Sequence, residues 1–166
     1  HLEKIDLSGW LQGFINDYKL GNRNAPHIDL DLRSTTIPQV TFDSIHLQRV
    51  LTNLLDNAIR YSREKTDQSW AGIRVSQRQG DKIMTLDVMD KGPGVPPGSL
   101  GQLFEPFFST SPGGSGLGLY IARELCAINY ATIAYQEPQG EEHGFFRISF
   151  VHPDKVFKLS EAGHDR

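Results

Sequence analysis

Three short segments carry residue types able to do chemistry together, and they fall in one order: Asn53-Leu54-Leu55-Asp56-Asn57-Ala58, Asp90-Lys91-Gly92-Pro93-Gly94 and Gly114-Ser115-Gly116-Leu117-Gly118-Leu119. The first offers amide oxygens suited to a hard cation such as Mg²⁺, which accepts few protein ligands and keeps waters and phosphate oxygens. The second ends an apolar run on a carboxylate, which is costly there unless donors face it. The exocyclic amine of an adenine is such a donor, whereas guanine presents a carbonyl at that place. Gly92 and Gly94 leave room for a flat base where a Cβ would clash. The third is a glycine turn opening a helix, whose free N–H groups and dipole attract phosphates. Together the segments supply the parts of a nucleoside-triphosphate site.

Each segment also has a plainer reading. Two Asn residues one turn apart suit a solvated helix edge, and Asp-Lys-Gly-Pro-Gly suits a turn. A Gly-rich stretch suits a linker, although Leu117 and Leu119 interleaved in it oppose that. The third segment lacks the Lys-Ser or Lys-Thr of a Walker loop, and its spacing and surroundings are not those of a dinucleotide fingerprint. Beside Asn57, Arg60 lies within reach of phosphate oxygens and Tyr61 is placed to pack on a base or sugar. Upstream of the third segment, Phe104-Glu105-Pro106-Phe107-Phe108 is either a hydrophobic plug or the edge of a movable lid. The stretch from Ser109 to Gly114 has the small, Gly-rich composition of a lid closing over phosphates.

These segments need elements to position them. A helix opens at Asp6-Leu7-Ser8, with Trp10, Leu11, Phe14, Ile15 and Tyr18 at helical spacing and Gly21 as a stop. His27 to Arg33 alternates like a half-buried strand, and Pro38 to Phe42 is a second. Asp43 or Ser44 caps a long helix running to about Tyr61. Its buried stripe is Leu47, Val50, Leu51, Leu54, Leu55 and Ala58, while Asn53, Asn57 and Tyr61 share another face. Gly72 to Gln79 and Lys82 to Met89 form a hairpin through Gly80-Asp81. Asp90 to Gly113 is mostly loop, with one helical turn near Leu100. Gly116 to Ile128 is a helix with apolar Leu117, Ile121, Leu125 and Ile128, and strands follow at Ala131 to Gln136 and Gly144 to Val151. This order argues for a two-layer α/β sandwich with mostly antiparallel strands. Residues 1–153 form one domain, and 154–166 are a polar tail.

Bulk composition narrows the function classes. The 166 residues suffice for one domain that buries roughly two-thirds of its unfolded surface. A net charge of −3 without a basic block excludes nucleic acid as the main partner. Cys126 is the single cysteine, so no internal disulfide forms, and its context reads as core filler. No stretch approaches the ~18–20 apolar residues that span a bilayer, so direct membrane insertion of this stretch is not expected. The start at His1-Leu2-Glu3, without Met or a secretory signal, reads as part of something longer.

In order and spacing the motifs resemble the ATP-binding catalytic domain of bacterial sensor histidine kinases, within the group that includes gyrase, the Hsp90 chaperones and MutL. Asn53 to Ser62 is similar to that family's N box, Asp90 to Gly94 to its first glycine box, Phe104 to Phe108 to its F box, and Gly114 to Leu119 to its second glycine box. The likeness runs from about Asp6 to Val151. Within the family, Trp10-Leu11, Arg123 to Cys126 and Phe146 to Pro153 are similar to sensors of the type IV pilus and nitrogen-regulation kind. The resemblance implies a Bergerat-type fold, a mixed sheet covered on one face by three helices, with a lid between the F box and the second glycine box. It implies ATP and Mg²⁺ as cofactors, Asn57 as the metal ligand, Asp90 on adenine, and Gly114, Gly116 and Gly118 shaping the phosphate site. Gly92, Gly94, Arg60, Tyr61, Phe104, Ser115, Leu117 and Leu119 complete the implied nucleotide contacts.

Two departures bear on the chemistry. The hydrolysing members place a Glu one turn before the metal ligand; here that place is Asn53, which cannot act as a base. Asn53 is thus the candidate catalytic residue for phosphoryl transfer, orienting the metal's water or an incoming imidazole. The lid is also short and lacks the Lys often found after the F box. None of His1, His27, His46, His143, His152 or His164 has the His-Glu or His-Asp context of a phosphoacceptor. The implied partners are therefore the dimerisation and phosphoacceptor domain of the same kinase and, indirectly, a response regulator. The implied location is a cytoplasmic domain of a protein anchored in the inner membrane. The alternatives are a degenerate, non-catalytic domain that works by partner binding, and an ATP-hydrolysing clamp of the gyrase or Hsp90 type.

Overall fold

Among the described residues, the chain runs β1 (Glu3–Asp6), α1 (Leu7–Leu20), β2 (His27–Leu32), β3 (Gln39–Phe42), α2 (Ser44–Thr66), β4 (Trp70–Gln77), β5 (Met84–Met89), a 3-10 turn (Pro97–Gln102), α3 (Gly118–Ile128), β6 (Thr132–Gln136) and β7 (Phe145–Ser149). The computed structural model describes residues 1–23, 25–33, 38–109, 114–140 and 143–151. Gly113, residues 110–112 of the expected lid and the tail from Asp154 lie outside them.

Five strands form one sheet in the order β2-β4-β5-β7-β6, and β1 pairs with β3 in a separate ribbon. Only β2 and β4 are parallel; the other neighbours are antiparallel. Strand alternation puts Ala71, Ile73, Val75, Leu86, Val88, Phe146 and Ile148 on the face the helices cover, all buried. The α2 stripe of Leu47, Val50, Leu51, Leu54, Leu55 and Ala58 fills the same core with Leu11, Phe14 and Ile15 of α1. Each fully buried side chain of this size contributes roughly 1.5–3 kcal/mol. The opposite face carries Asp87, fully buried, gripped by Arg74 Nε at 3.0 Å and Arg147 Nε at 2.7 Å. The mixed, mostly antiparallel two-layer sandwich is the one expected.

Several boundaries differ from the sequence reading. β1 was not expected, because a four-residue strand with Ile5 as its one buried residue has no visible period. α2 continues past Tyr61 to Thr66 and ends on Asp67 at φ 61°. Its last turns lack apolar residues, so the stripe fades while the helix persists on the formers Arg63, Glu64 and Lys65. The buried stripe of α3 is Leu119, Ala122 and Cys126, one position round from the expected Leu117, Ile121, Leu125 and Ile128. Ile128 is in fact exposed. Two amides explain the rotation. Asn129, at the C-cap of α3, accepts from Asp43 N at 2.8 Å and donates to Leu125 O at 2.7 Å. At the other end, Asn53 Nδ2 donates to Gly118 O at 3.0 Å. The helix is stapled to α2 at both ends, and its first turn is thereby aimed at the polar stripe of α2.

Candidate functional site

α2 is the platform. Asp43 caps it, accepting from Ile45 N at 2.9 Å and His46 N at 3.1 Å. Asn53, Asp56, Asn57, Arg60 and Tyr61 then line a cavity of about 140 Å³. Facing them are Ser115, Gly116, Gly118 and Leu119, with Leu103, Phe108 and Ser109 closing the side. Among the described residues no side chain caps the first turn of α3, which leaves its N–H groups available to an anion. Asn57 is nearly buried, and its Oδ1 accepts from Arg60 Nη2 at 2.7 Å. The guanidinium also lies 5.3 Å from the centre of the Tyr61 ring.

Gly116 shapes the turn before α3. Its φ is +77°, and an added Cβ would collide with the Phe107 backbone, reaching Phe107 O at 2.7 Å. Phe107 is held there at φ +66°, donating its N–H to Gly116 O at 2.8 Å, with its ring exposed. Phe104 instead packs edge-on against Phe146 at 6.1 Å, under the Arg123 guanidinium. The segment Phe104 to Phe108 is thus plug at Phe104 and exposed rim at Phe107. Leu117 N donates to Ser115 Oγ at 3.3 Å, which fixes the turn.

The second segment sits apart from this cavity. Asp90 follows β5 and borders a different cavity of about 480 Å³, with Lys65, Trp70, Met89, His143 and Phe145. Burial pushes its carboxyl above the ordinary carboxylate range, against the Gly92 N–H at 2.7 Å and the nearby His143 and Lys65. The close approach at Gly92 is to α2: an added Cβ would lie 2.7 Å from Tyr61 Cβ. Gly94 holds φ +80°, and the next residue, Val95, donates its N–H to Tyr135 Oη at 3.4 Å. Of the expected contacts, the structure gathers Asn53, Asn57, Arg60, Tyr61, Ser115, Gly116, Gly118 and Leu119 around one cavity. Asp90, Gly92, Gly94, Phe104, Gly114 and Leu117 do not line it.

Sequence reasoning missed two residues here. Asp56 lines the cavity, its Oδ1 accepting from Tyr18 Oη at 2.6 Å; burial first, and then Asp56, push the Tyr18 hydroxyl pKa up. Ser62, fully buried, accepts from Lys91 N at 2.9 Å and ties the Asp90 loop to α2. Its position four residues after Ala58 continues the buried stripe and was the available signal. Cys126 is buried, its thiol pushed up to about 12 by burial, which suits core filler. Among the described residues, no helix is long and apolar enough to cross a membrane.

Residues 42–155 match the family model described as histidine kinase-, DNA gyrase B-, and HSP90-like ATPase. The sensor protein kinase PilS of Pseudomonas aeruginosa is 40% identical over 154 residues, covering 93% of this chain and 29% of PilS. The chain thus spans under a third of that relative's length. Among solved structures, the mycobacterial sensor histidine kinase MprB matches with a TM-score of 0.70 at 27% identity, over 90% of this chain and 97% of that one. Full-length ShkA in complex with AMPPNP matches at 0.71 and 25% identity, over 90% of this chain and 30% of that one. The matched stretch holds most of this chain and every element around the cavity from α2 to α3, and the chain belongs to the histidine kinase-, DNA gyrase B- and HSP90-like ATPase family, on its sensor histidine kinase side.

Proposed function

We propose that this domain binds Mg-ATP and presents the γ-phosphate to a histidine on a separate dimerisation domain of the same sensor kinase, from which a response regulator is served. The observation that carries this reading is the single cavity where Asn57 and Arg60 of α2 face the uncapped first turn of α3. Its donor set fits the metal. Asn57 Oδ1 already accepts from a cationic group, and one neutral oxygen is the kind of sparse protein ligation Mg²⁺ uses beside phosphates and water.

In this reading Asn57 holds Mg²⁺, which when bound neutralises charge on the phosphates. Arg60 and the α3 N–H groups receive phosphate oxygens, and Ser115 and Gly116 shape the turn that brings them close. Asp90 accepts from the adenine amine, and Tyr61 borders the base or sugar. Phosphoryl transfer needs chiefly such positioning and charge neutralisation. Asn53 supplies no base, and its amide nitrogen is committed to Gly118 O, which favours transfer over hydrolysis. A cytoplasmic position beside an inner-membrane anchor belongs to the same reading and rests on the family resemblance.

The test uses γ-labelled ATP with Mg²⁺, first with this chain alone and then with the histidine-bearing domain of the same kinase added. The chain alone is expected to stay unlabelled while the added domain gains acid-labile label. Label on the chain alone, or release of inorganic phosphate without transfer, would contradict the reading.

A further inference from the structure

Asn57 offers one amide oxygen to the cavity, and Arg60 Nη2 occupies it at 2.7 Å in a charge-assisted bond. The guanidinium is closely seated: an added Cβ at Gly114 would lie 3.2 Å from Nη2 and 3.5 Å from Cζ. Yet Arg60 Nε is buried with no hydrogen-bond partner among the described residues. A buried donor without an acceptor is uncommon and costly. The seat satisfies Nη2 and leaves Nε without an acceptor among the described residues. Along α2 the formal charges bordering the cavity are those of Arg60 and Asp56, which cancel.

The amide oxygen has two lone pairs, but a guanidinium and a divalent cation held on it together would lie a few ångströms apart in a partly buried site and repel strongly, so occupancy by one disfavours the other. We propose that Arg60 is a place-holder for the metal: it and a divalent cation exchange at Asn57 Oδ1, and the guanidinium leaves that oxygen only when phosphate oxygens can take it. This rests on the Mg-ATP reading and adds a regulation to it. Metal without nucleotide meets Arg60 at its ligand and is refused. Nucleotide draws Arg60 away, satisfies Nε and frees Asn57, so metal and nucleotide bind with positive coupling. A cation bordering the cavity without a seat on Asn57 Oδ1 would also repel the metal, so the distinguishing readout is whether the gain on removing Arg60 depends on Asn57.

The experiment follows Mn²⁺ binding without nucleotide by the loss of its free paramagnetic resonance signal, in the wild type, Arg60→Met, Arg60→Lys and the Arg60→Met/Asn57→Ala double variant. Arg60→Met removes the charge and leaves Asp56 uncompensated, so Mn²⁺ is expected to bind about tenfold more tightly than to the wild type. Arg60→Lys keeps the charge and is expected near the wild type, and the double variant is expected to lose the gain. Nucleotide affinity in Mg²⁺ should move the opposite way, falling in Arg60→Met. Unchanged or weaker Mn²⁺ binding in a folded Arg60→Met variant, or a gain that survives loss of Asn57, overturns the proposal. Absence of Mg-AMPPNP binding by the wild type would instead overturn the functional reading on which it rests.

Discussion

The two halves of the candidate site are built differently. The proposed phosphate and metal half stands on α2 and on the first turn of α3, two helices stapled together by Asn53 and Asn129. Its residues converge on one small cavity. The proposed base half hangs on the loop after β5, held by Ser62 and by the close approach of Gly92 to Tyr61, and Asp90 borders another cavity. Helical spacing fixes a constellation before any ligand arrives. A loop does so only through the contacts that anchor it, so the backbone of the first half is in place beforehand, with the Arg60 side chain left to move, and the second half depends on its anchors.

Substitutions can break or sharpen that contrast. Asn57→Ala has the largest expected effect. Even outer-shell partners of metal ligands cost 10–100-fold in affinity, so Mg²⁺-dependent nucleotide affinity should fall by more than about 100-fold in a variant that still folds, with the melting temperature lowered modestly because Arg60 Nη2 loses its acceptor. Calorimetric titration with and without EDTA measures this. Gly116→Ala forces a Cβ into the Phe107 backbone at φ +77° and should lower stability by at least about 2 kcal/mol in urea unfolding.

Asp90→Asn tests the base half. Loss of a hydrogen bond to a charged group, about 1.5–3 kcal/mol, should weaken ATP roughly 10–100-fold and leave GTP little changed. Because the Asp90 carboxyl titrates above the ordinary carboxylate range, ATP affinity should decline on acidification earlier than an ordinary carboxylate allows. Asp90→Asn should flatten that profile. Its melting temperature should not fall at neutral pH, since the raised pKa means the buried charge opposes folding there. Ser62→Ala has the smallest expected effect. It strips Lys91 N–H of its acceptor, costing about 1–3 kcal/mol, and should weaken ATP affinity without altering the ratio measured with and without Mg²⁺. An equal loss of metal dependence would show that the halves are not separately anchored.

The sequence made the helical half legible because Asn53, Asn57 and Tyr61 recur at one spacing on a helix whose apolar stripe is unmistakable. The layer architecture was legible for the same reason, from alternation in β2, β4 and β5. Rotation of α3 was not, since it is set by amides that reach across to α2 rather than by its own apolar pattern. The tight spot at Gly92 was legible, but its cause was not: the neighbour is Tyr61, thirty-one residues upstream in the chain. Nor could spacing reveal that Arg60 sits on the oxygen assigned to the metal, because a contact between side chains three apart depends on rotamers.

The central claim is that Asn57 and Asp90 serve one Mg²⁺-dependent, adenine-selective site. It is tested most directly by titrating this chain with ATP and with GTP, each in Mg²⁺ and in EDTA. The expected result is saturable binding of ATP in Mg²⁺, strongly weakened by EDTA, with GTP weak in both. Equal affinity for ATP and GTP, or ATP affinity indifferent to the metal, would contradict it.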